Sequence, residues 1–181
     1  RRTVESELGQ PLEELFAEFD LQALGSASVG QVHRAKLFSG EIVVVKVQHD
    51  DIEPIIDDDL EILRILAEAA EHYSPELRLY QPRATVADFS RNLKRELDYR
   101  RELRSLKQFT QNLADDNWVC IPSTYPELSS RRVLTMEMLD GYSIANTERM
   151  DQDGIDKGDF IQHGARMYLD MVFRDRFYHA D

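Results

Sequence analysis

The sequence predicts an α+β lobe over residues 1–140 followed by the beginning of a helical lobe over 141–181. Helix-type and strand-type patterns interleave along the first part: short helices, a strand pair, two long helices, then about three strands. The strongest signals are a valine-rich run with strand alternation and an apolar stripe at helical spacing through residues 51–72. Interleaving of this kind marks an α+β arrangement.

The first stretch gives two short helices, broken at Gly9-Gln10-Pro11, with Pro11 at a helix-start position. Leu12, Leu15, Phe16 and Phe19 supply the apolar stripe of the second. Residues 27–37 and 41–48 read as strands joined at the turn Phe38-Ser39-Gly40. Within them, Ile42-Val43-Val44-Val45-Lys46-Val47 is rich in β-formers. Ile52, Ile55, Ile56, Leu60, Leu63, Leu66, Ala67 and Ala70 then recur at helical spacing until Ser74-Pro75 ends the run. A second long helix is expected from about Thr85 to Leu113. Residues 118–121, 124–128 and 132–138 read as strands, Asp140-Gly141 as a turn, and residues 158–175 as a last helix.

Composition narrows the function classes. The chain has 181 residues, 22 basic against 34 acidic, a net charge of −12 and one cysteine. A lone Cys120 forms no internal disulfide, and zinc-site spacing rules have nothing to act on. The acidic balance speaks against nucleic acid as a partner, because phosphate backbones select basic faces. No apolar run approaches the roughly 20 residues of a membrane span, and the start lacks a signal-peptide profile. Both ends run directly into patterned sequence, where termini usually carry polar, poorly ordered residues. The sequence is therefore expected to be a segment of a longer protein.

Four features carry chemistry. Lys46 lies on an apolar strand, where alternation puts it with Val44 and Gln48 and opposite Val43, Val45 and Val47. An ammonium there wants an opposite charge or a bound anion; an edge strand whose lysine reaches solvent explains it as well. Glu102 interrupts an apolar helical face shared with Tyr99, Leu103 and Leu106, and Asp98 lies four residues before it. A Lys46–Glu102 pair is the economical account of both; a solvated helix charge is the bland account of Glu102. The stretch Gly25-Ser26-Ala27-Ser28-Val29-Gly30 lets backbone approach a ligand closely and point N–H groups at phosphate, although small-residue turns are common. His179-Ala180-Asp181 fits an ordinary loop as well as a catalytic one. The remaining charges suggest solvated faces: Asp57-Asp58-Asp59 with Glu61 point in different directions on a helix, and His33, His49, His72 and His163 are scattered.

In their order, these motifs resemble a protein-kinase-like fold with inserted N-lobe helices and a truncated C-lobe. More narrowly they resemble the UbiB family (ABC1-like) of atypical kinases, which is linked to ubiquinone biosynthesis. Residues 26–35, Ser-Ala-Ser-Val-Gly-Gln-Val-His-Arg-Ala, are similar to the family's alanine-rich nucleotide loop. Val43-Val44-Val45-Lys46-Val47-Gln48 resembles its Val-Ala-Val-Lys-Val-Gln, Glu96-Leu97-Asp98 its Glu-x-Asp segment, and His179-Ala180-Asp181 the start of its catalytic loop.

The resemblance implies roles. Lys46 would hold the α/β-phosphates of ATP and pair with Glu102. Gly25, Ser26, Ala27, Ser28, Val29 and Gly30 would cover the nucleotide. Val44 would line the adenine pocket, with Met136, Glu137 and Met138 as the hinge whose backbone meets the adenine edge. Glu96 and Asp98 would be the family's acidic pair, and Asp181 the catalytic aspartate. ATP and Mg are the implied cofactors; the Mg ligands, an Asn and an Asp-Phe-Gly segment, would follow Asp181. Quinone precursors or a lipid surface are the implied partners, in a cytoplasmic setting peripheral to the inner membrane. The family's Lys-x-Gly-Gln motif does not occur in this sequence, and the segment as given is expected to be catalytically incomplete. A small-molecule phosphotransferase and a nucleotide-binding pseudokinase scaffold are the rival readings.

Overall fold

In the computed structural model, which describes residues 1–178, an antiparallel sheet occupies the first half of the chain. Its strands are β1 (Glu18–Phe19), β2 (Gly25–Ser26), β3 (Gly30–Lys36), β4 (Ile42–Gln48) and β5 (Val133–Glu137). The order is β1-β3-β4-β5, with β2 also paired to β3. Val43, Val45 and Val47 on β4 and Val133 on β5 face one side and are at most 4% exposed. Two helices cover that side, α1 (Arg2–Leu8) and α2 (Leu12–Leu15), through Val4, Leu12, Leu15 and Phe16. Each such side chain contributes on the order of 1.5–3 kcal/mol by leaving water.

The break between α1 and α2 falls where the sequence places it. Gly9 ends α1 in the left-handed region at φ 74°, its N–H on the Glu5 carbonyl, which glycine adopts without a Cβ penalty. Phe19 departs from its expected place on a helical stripe. The chain becomes extended at Phe16, and the Ala17 N–H donates to the Lys36 carbonyl, so Phe19 enters β1 opposite Ala35.

The β4–β5 connection contains α3 (Ile52–Tyr73), a short 3-10 turn (Pro75–Tyr80), α4 (Pro82–Glu96) and α5 (Tyr99–Asn112). The single helix expected from Thr85 to Leu113 is therefore two. At the break, the Leu97 carbonyl accepts a hydrogen bond from Gln48 Nε2 at 2.5 Å, and the Tyr99 N–H donates to the Arg131 carbonyl at 2.9 Å. Asp98 restarts the helix: its Oδ1 accepts the Arg100 N–H at 3.1 Å, a capping contact. Leu97 and Tyr99 are buried beside it.

Residues 118–121 and 124–128 are not the strands their β-formers suggest. Pro122 and Pro126 remove ladder donors; a 3-10 turn forms at Pro126–Leu128, and only Thr124 makes a bridge, to Met136. Residues 123–130 instead close the outer edge of β5, with the Tyr125 N–H on the Thr135 carbonyl and the Glu137 N–H on the Ser123 carbonyl.

Residues 1–105 with 123–138 form one compact unit, and residues 106–122 with the described residues from 139 onward form a second. The second contains α6 (Thr147–Gln152), α7 (Lys157–Leu169) and a π-helical turn at Asp170–Arg174. Its core joins Phe109, Leu113 and Met171 with Val119, Ile121, Met167 and Phe177. Among the described residues, no helix is long and apolar enough to cross a membrane.

Candidate functional site

The face of the sheet opposite α1 and α2 holds the candidate residues. Residues opposed in an antiparallel pair share a face. The pairs Val32↔Lys46 and Arg34↔Val44, with Lys46↔Leu134 and Val44↔Met136, therefore put Val32, Arg34, Val44, Lys46, Leu134 and Met136 on one surface. Gln48 ends the same row, buried, and reaches over to the Leu97 carbonyl, two residues before α5.

That tether sets Glu102, one turn into α5, beside Lys46. The Lys46 ammonium donates to both Glu102 oxygens, at 2.8 and 3.1 Å. Both side chains keep about a third of their surface exposed, 32% and 38%. A pair this open contributes at most about 1 kcal/mol to stability. It serves better as a way of holding an ammonium at a defined point on an apolar sheet face.

Tyr99 completes the surroundings of the lysine. Its ring centroid lies 4.9 Å from Lys46 Nζ, in cation–π range. Burial, with a smaller contribution from the Glu102 charge, pushes its phenol up to about 12. The sequence places Tyr99 on the same face as Glu102 but gives it no role. An aromatic next to the Glu-x-Asp segment is the signal that was available.

The small-residue stretch forms a tight reversal at the edge of this surface. Gly25 and Ser26 pair with Val32 and Gln31, and the Ala27 N–H donates to the Gly30 carbonyl at 2.8 Å. His49 holds the turn from behind: its N–H donates to the Val29 carbonyl and its Nε2–H to the Ala27 carbonyl, both at 3.1 Å. This bracing contact was invisible in the sequence because it depends on β4 running back past the turn. Gly30 is buried, and a Cβ there would stand 2.4 Å from the Val47 carbonyl oxygen. Only glycine fits.

The other expected residues take varied places. The Glu137 and Met138 amides are committed to the Ser123 and Ile42 carbonyls, at 2.8 and 3.1 Å. Second carbonyl lone pairs are what those residues retain for a ligand. The Glu137 carboxylate turns to the covered side and accepts the Ser123 N–H. Asp98 caps α5 and pairs with Arg100, whose guanidinium holds the carboxylate below its ordinary range. Glu96 lies exposed at the end of α4. Asp181 lies outside the described residues.

The residues present fit an anionic ligand with an apolar part: a fixed ammonium, a turn without bulk, and a surface of Val32, Val44 and Met136. They do not by themselves fit a metal ion. Among the described residues, no three His, Cys, Asp or Glu side chains converge on a common point.

A valine-rich antiparallel sheet, a lysine on its central strand and a glutamate reaching that lysine from a helix define a kinase-like lobe. Comparison with known proteins makes this specific: the ABC1 atypical kinase-like domain matches residues 1–181, and the chain belongs to that family. It is 37% identical over 180 residues to the probable protein kinase UbiB of Pseudomonas fluorescens SBW25, covering 99% of this chain and 34% of the relative. It is also 37% identical over 179 residues to the protein of that name from Vibrio vulnificus YJ016, covering 98% and 33%. The chain thus spans about a third of these relatives' length. Among solved structures, the Rv3197–erythromycin complex of Mycobacterium tuberculosis superposes with a TM-score of 0.69 at 26% identity, over 82% of this chain and 37% of that one.

Proposed function

We propose that this chain is the nucleotide-holding part of an atypical kinase or ATPase that acts in ubiquinone biosynthesis. ATP is its ligand. Lys46, fixed by Glu102, receives the α/β-phosphates, and the turn at residues 25–30 covers them with backbone N–H groups. Val44 and Met136 bound the adenine, and the Glu137 and Met138 carbonyls accept from its amino group. When bound, the metal ion would neutralise phosphate charge, with ligands after Asp181 as the family resemblance implies. Asp181 would orient the phosphate acceptor, and Glu96 and Asp98 would be the family's acidic pair. Quinone precursors and a lipid surface are the proposed partners, in keeping with the UbiB-named relatives. Residues 1–140 would then be the N-lobe and 141–181 the start of the C-lobe.

The bidentate Lys46–Glu102 contact supports this reading most. The test is a thermal shift of the natural full-length protein. Mg-ATP raises the melting temperature of the wild type, with about 2.7 kcal/mol of stabilisation at a hundred times Kd. Lys46→Ala abolishes the shift. A wild type that does not respond overturns the reading. Phosphate release then separates an enzyme from a pseudokinase scaffold: Asp181→Asn abolishes turnover if Asp181 acts in catalysis, and equal rates remove that role.

A further inference from the structure

Tyr99 joins two parts of the site that the sequence keeps far apart. Its ring faces the Lys46 ammonium, 4.9 Å from Nζ, while Glu102 pairs with the same ammonium. Its hydroxyl reaches the turn, where a Cβ added to Gly30 would come within 3.0 Å of Oη. The ring is only 4% exposed. Its own N–H is fixed on the Arg131 carbonyl, two residues after the Leu97 carbonyl held by Gln48.

Lys46 has the longest and most rotatable stem of this group. A lysine stem carries about 2 kcal/mol of rotamer entropy, and a partly exposed pair with one carboxylate offsets only part of it. A buried ring face attracts the cation and restricts where it travels. The same ring backs the corner at which the turn meets β3, so the spacing between lysine and turn is set by one rigid side chain.

We infer that Tyr99 is a positioning residue that fixes the distance between the Lys46 ammonium and the small-residue turn, and thereby sets affinity for the nucleotide phosphates. The inference rests on the nucleotide reading of this site. Tyr99 touches no reacting atom; it acts through Lys46 and Gly30. Tyr99→Phe keeps the ring over the ammonium and loses the hydroxyl at the turn. Tyr99→Met fills a similar volume without an aromatic face.

The experiment measures Kd for Mg-ATP in the natural full-length protein by fluorescence titration, with melting temperature recorded alongside. Tyr99→Met weakens binding about tenfold, the size of a partly desolvated cation–π contact, and Tyr99→Phe weakens it less. If Tyr99→Met lowers only the melting temperature and binds like the wild type, the inference fails while the nucleotide reading stands. If the wild type binds no nucleotide, the reading itself fails. A second measurement needs no variant at Tyr99. After reductive methylation with carbon-13, the Lys46 resonance, assigned by its loss in Lys46→Arg, is shifted upfield by the ring and moves when ADP is added. A Lys46 resonance at the position of the exposed lysines overturns the inference.

Discussion

On β4, Val43, Val45 and Val47 are at most 4% exposed, whereas on α3 Ile55, Ile62 and Leu66 are 54%, 56% and 59% exposed. Both segments are apolar and both sit in one unit. The sheet residues are dictated by the cover that α1 and α2 provide. On α3, only Leu60 and Ala67 are buried, and exposed side chains such as Arg64 with Glu61 and Glu68 form ion pairs along the helix. Periodicity thus identifies an element equally well in both places, but it predicts burial only where a second layer exists.

The largest effect should come from the covered side. Phe16→Ala, at a residue 2% exposed, should cost about 3–5 kcal/mol in denaturant unfolding. Leu66→Ala on α3 should cost no more than about 0.5 kcal/mol. Equal costs would break the contrast and mean that the α3 stripe is covered in solution.

Gly30→Ala comes next. Its Cβ would meet the Val47 carbonyl at 2.4 Å, and displacement of that backbone should cost about 1–3 kcal/mol in the same assay. A neutral result would mean that the turn relaxes freely.

Asp98→Ala removes the cap of α5 and should cost about 1 kcal/mol near neutral pH. Arg100 lowers the folded-state pKa of Asp98, so its contribution is complete above the ordinary carboxylate value and is lost as pH falls through the lower folded value. The gap between wild type and Asp98→Ala should therefore shrink below about pH 4. A gap that widens on acidification would contradict the assignment. The smallest effect belongs to Asp57→Asn, which breaks the exposed Lys94–Asp57 pair across the α3–α4 hairpin. It should be barely measurable at low salt and absent at high salt.

What the sequence made legible was local or was forced by conflict. Gly9 and Pro11 mark the α1–α2 break through their own backbone preferences. Lys46 and Glu102 each sit badly among apolar neighbours, and that shared misplacement pointed to a contact across 56 positions. What stayed hidden depends on partners distant in the chain. The break at Leu97 needs Gln48, 49 residues away, to satisfy a carbonyl that a continuous helix would have used itself. β1 and β2 span two residues each, below the reach of any periodicity. His49 looked like one of several scattered histidines until β4 carried it behind the turn.

The Gln48–Leu97 bond also makes the α3–α4 hairpin a closed excursion, leaving the sheet just after Lys46 and returning just before Glu102. Loop-closure entropy grows only with the logarithm of length, about 0.6 kcal/mol per doubling. With its ends pinned, the excursion is free to lengthen, shorten or change its outer surface across relatives, and the lysine–glutamate spacing would not register the change.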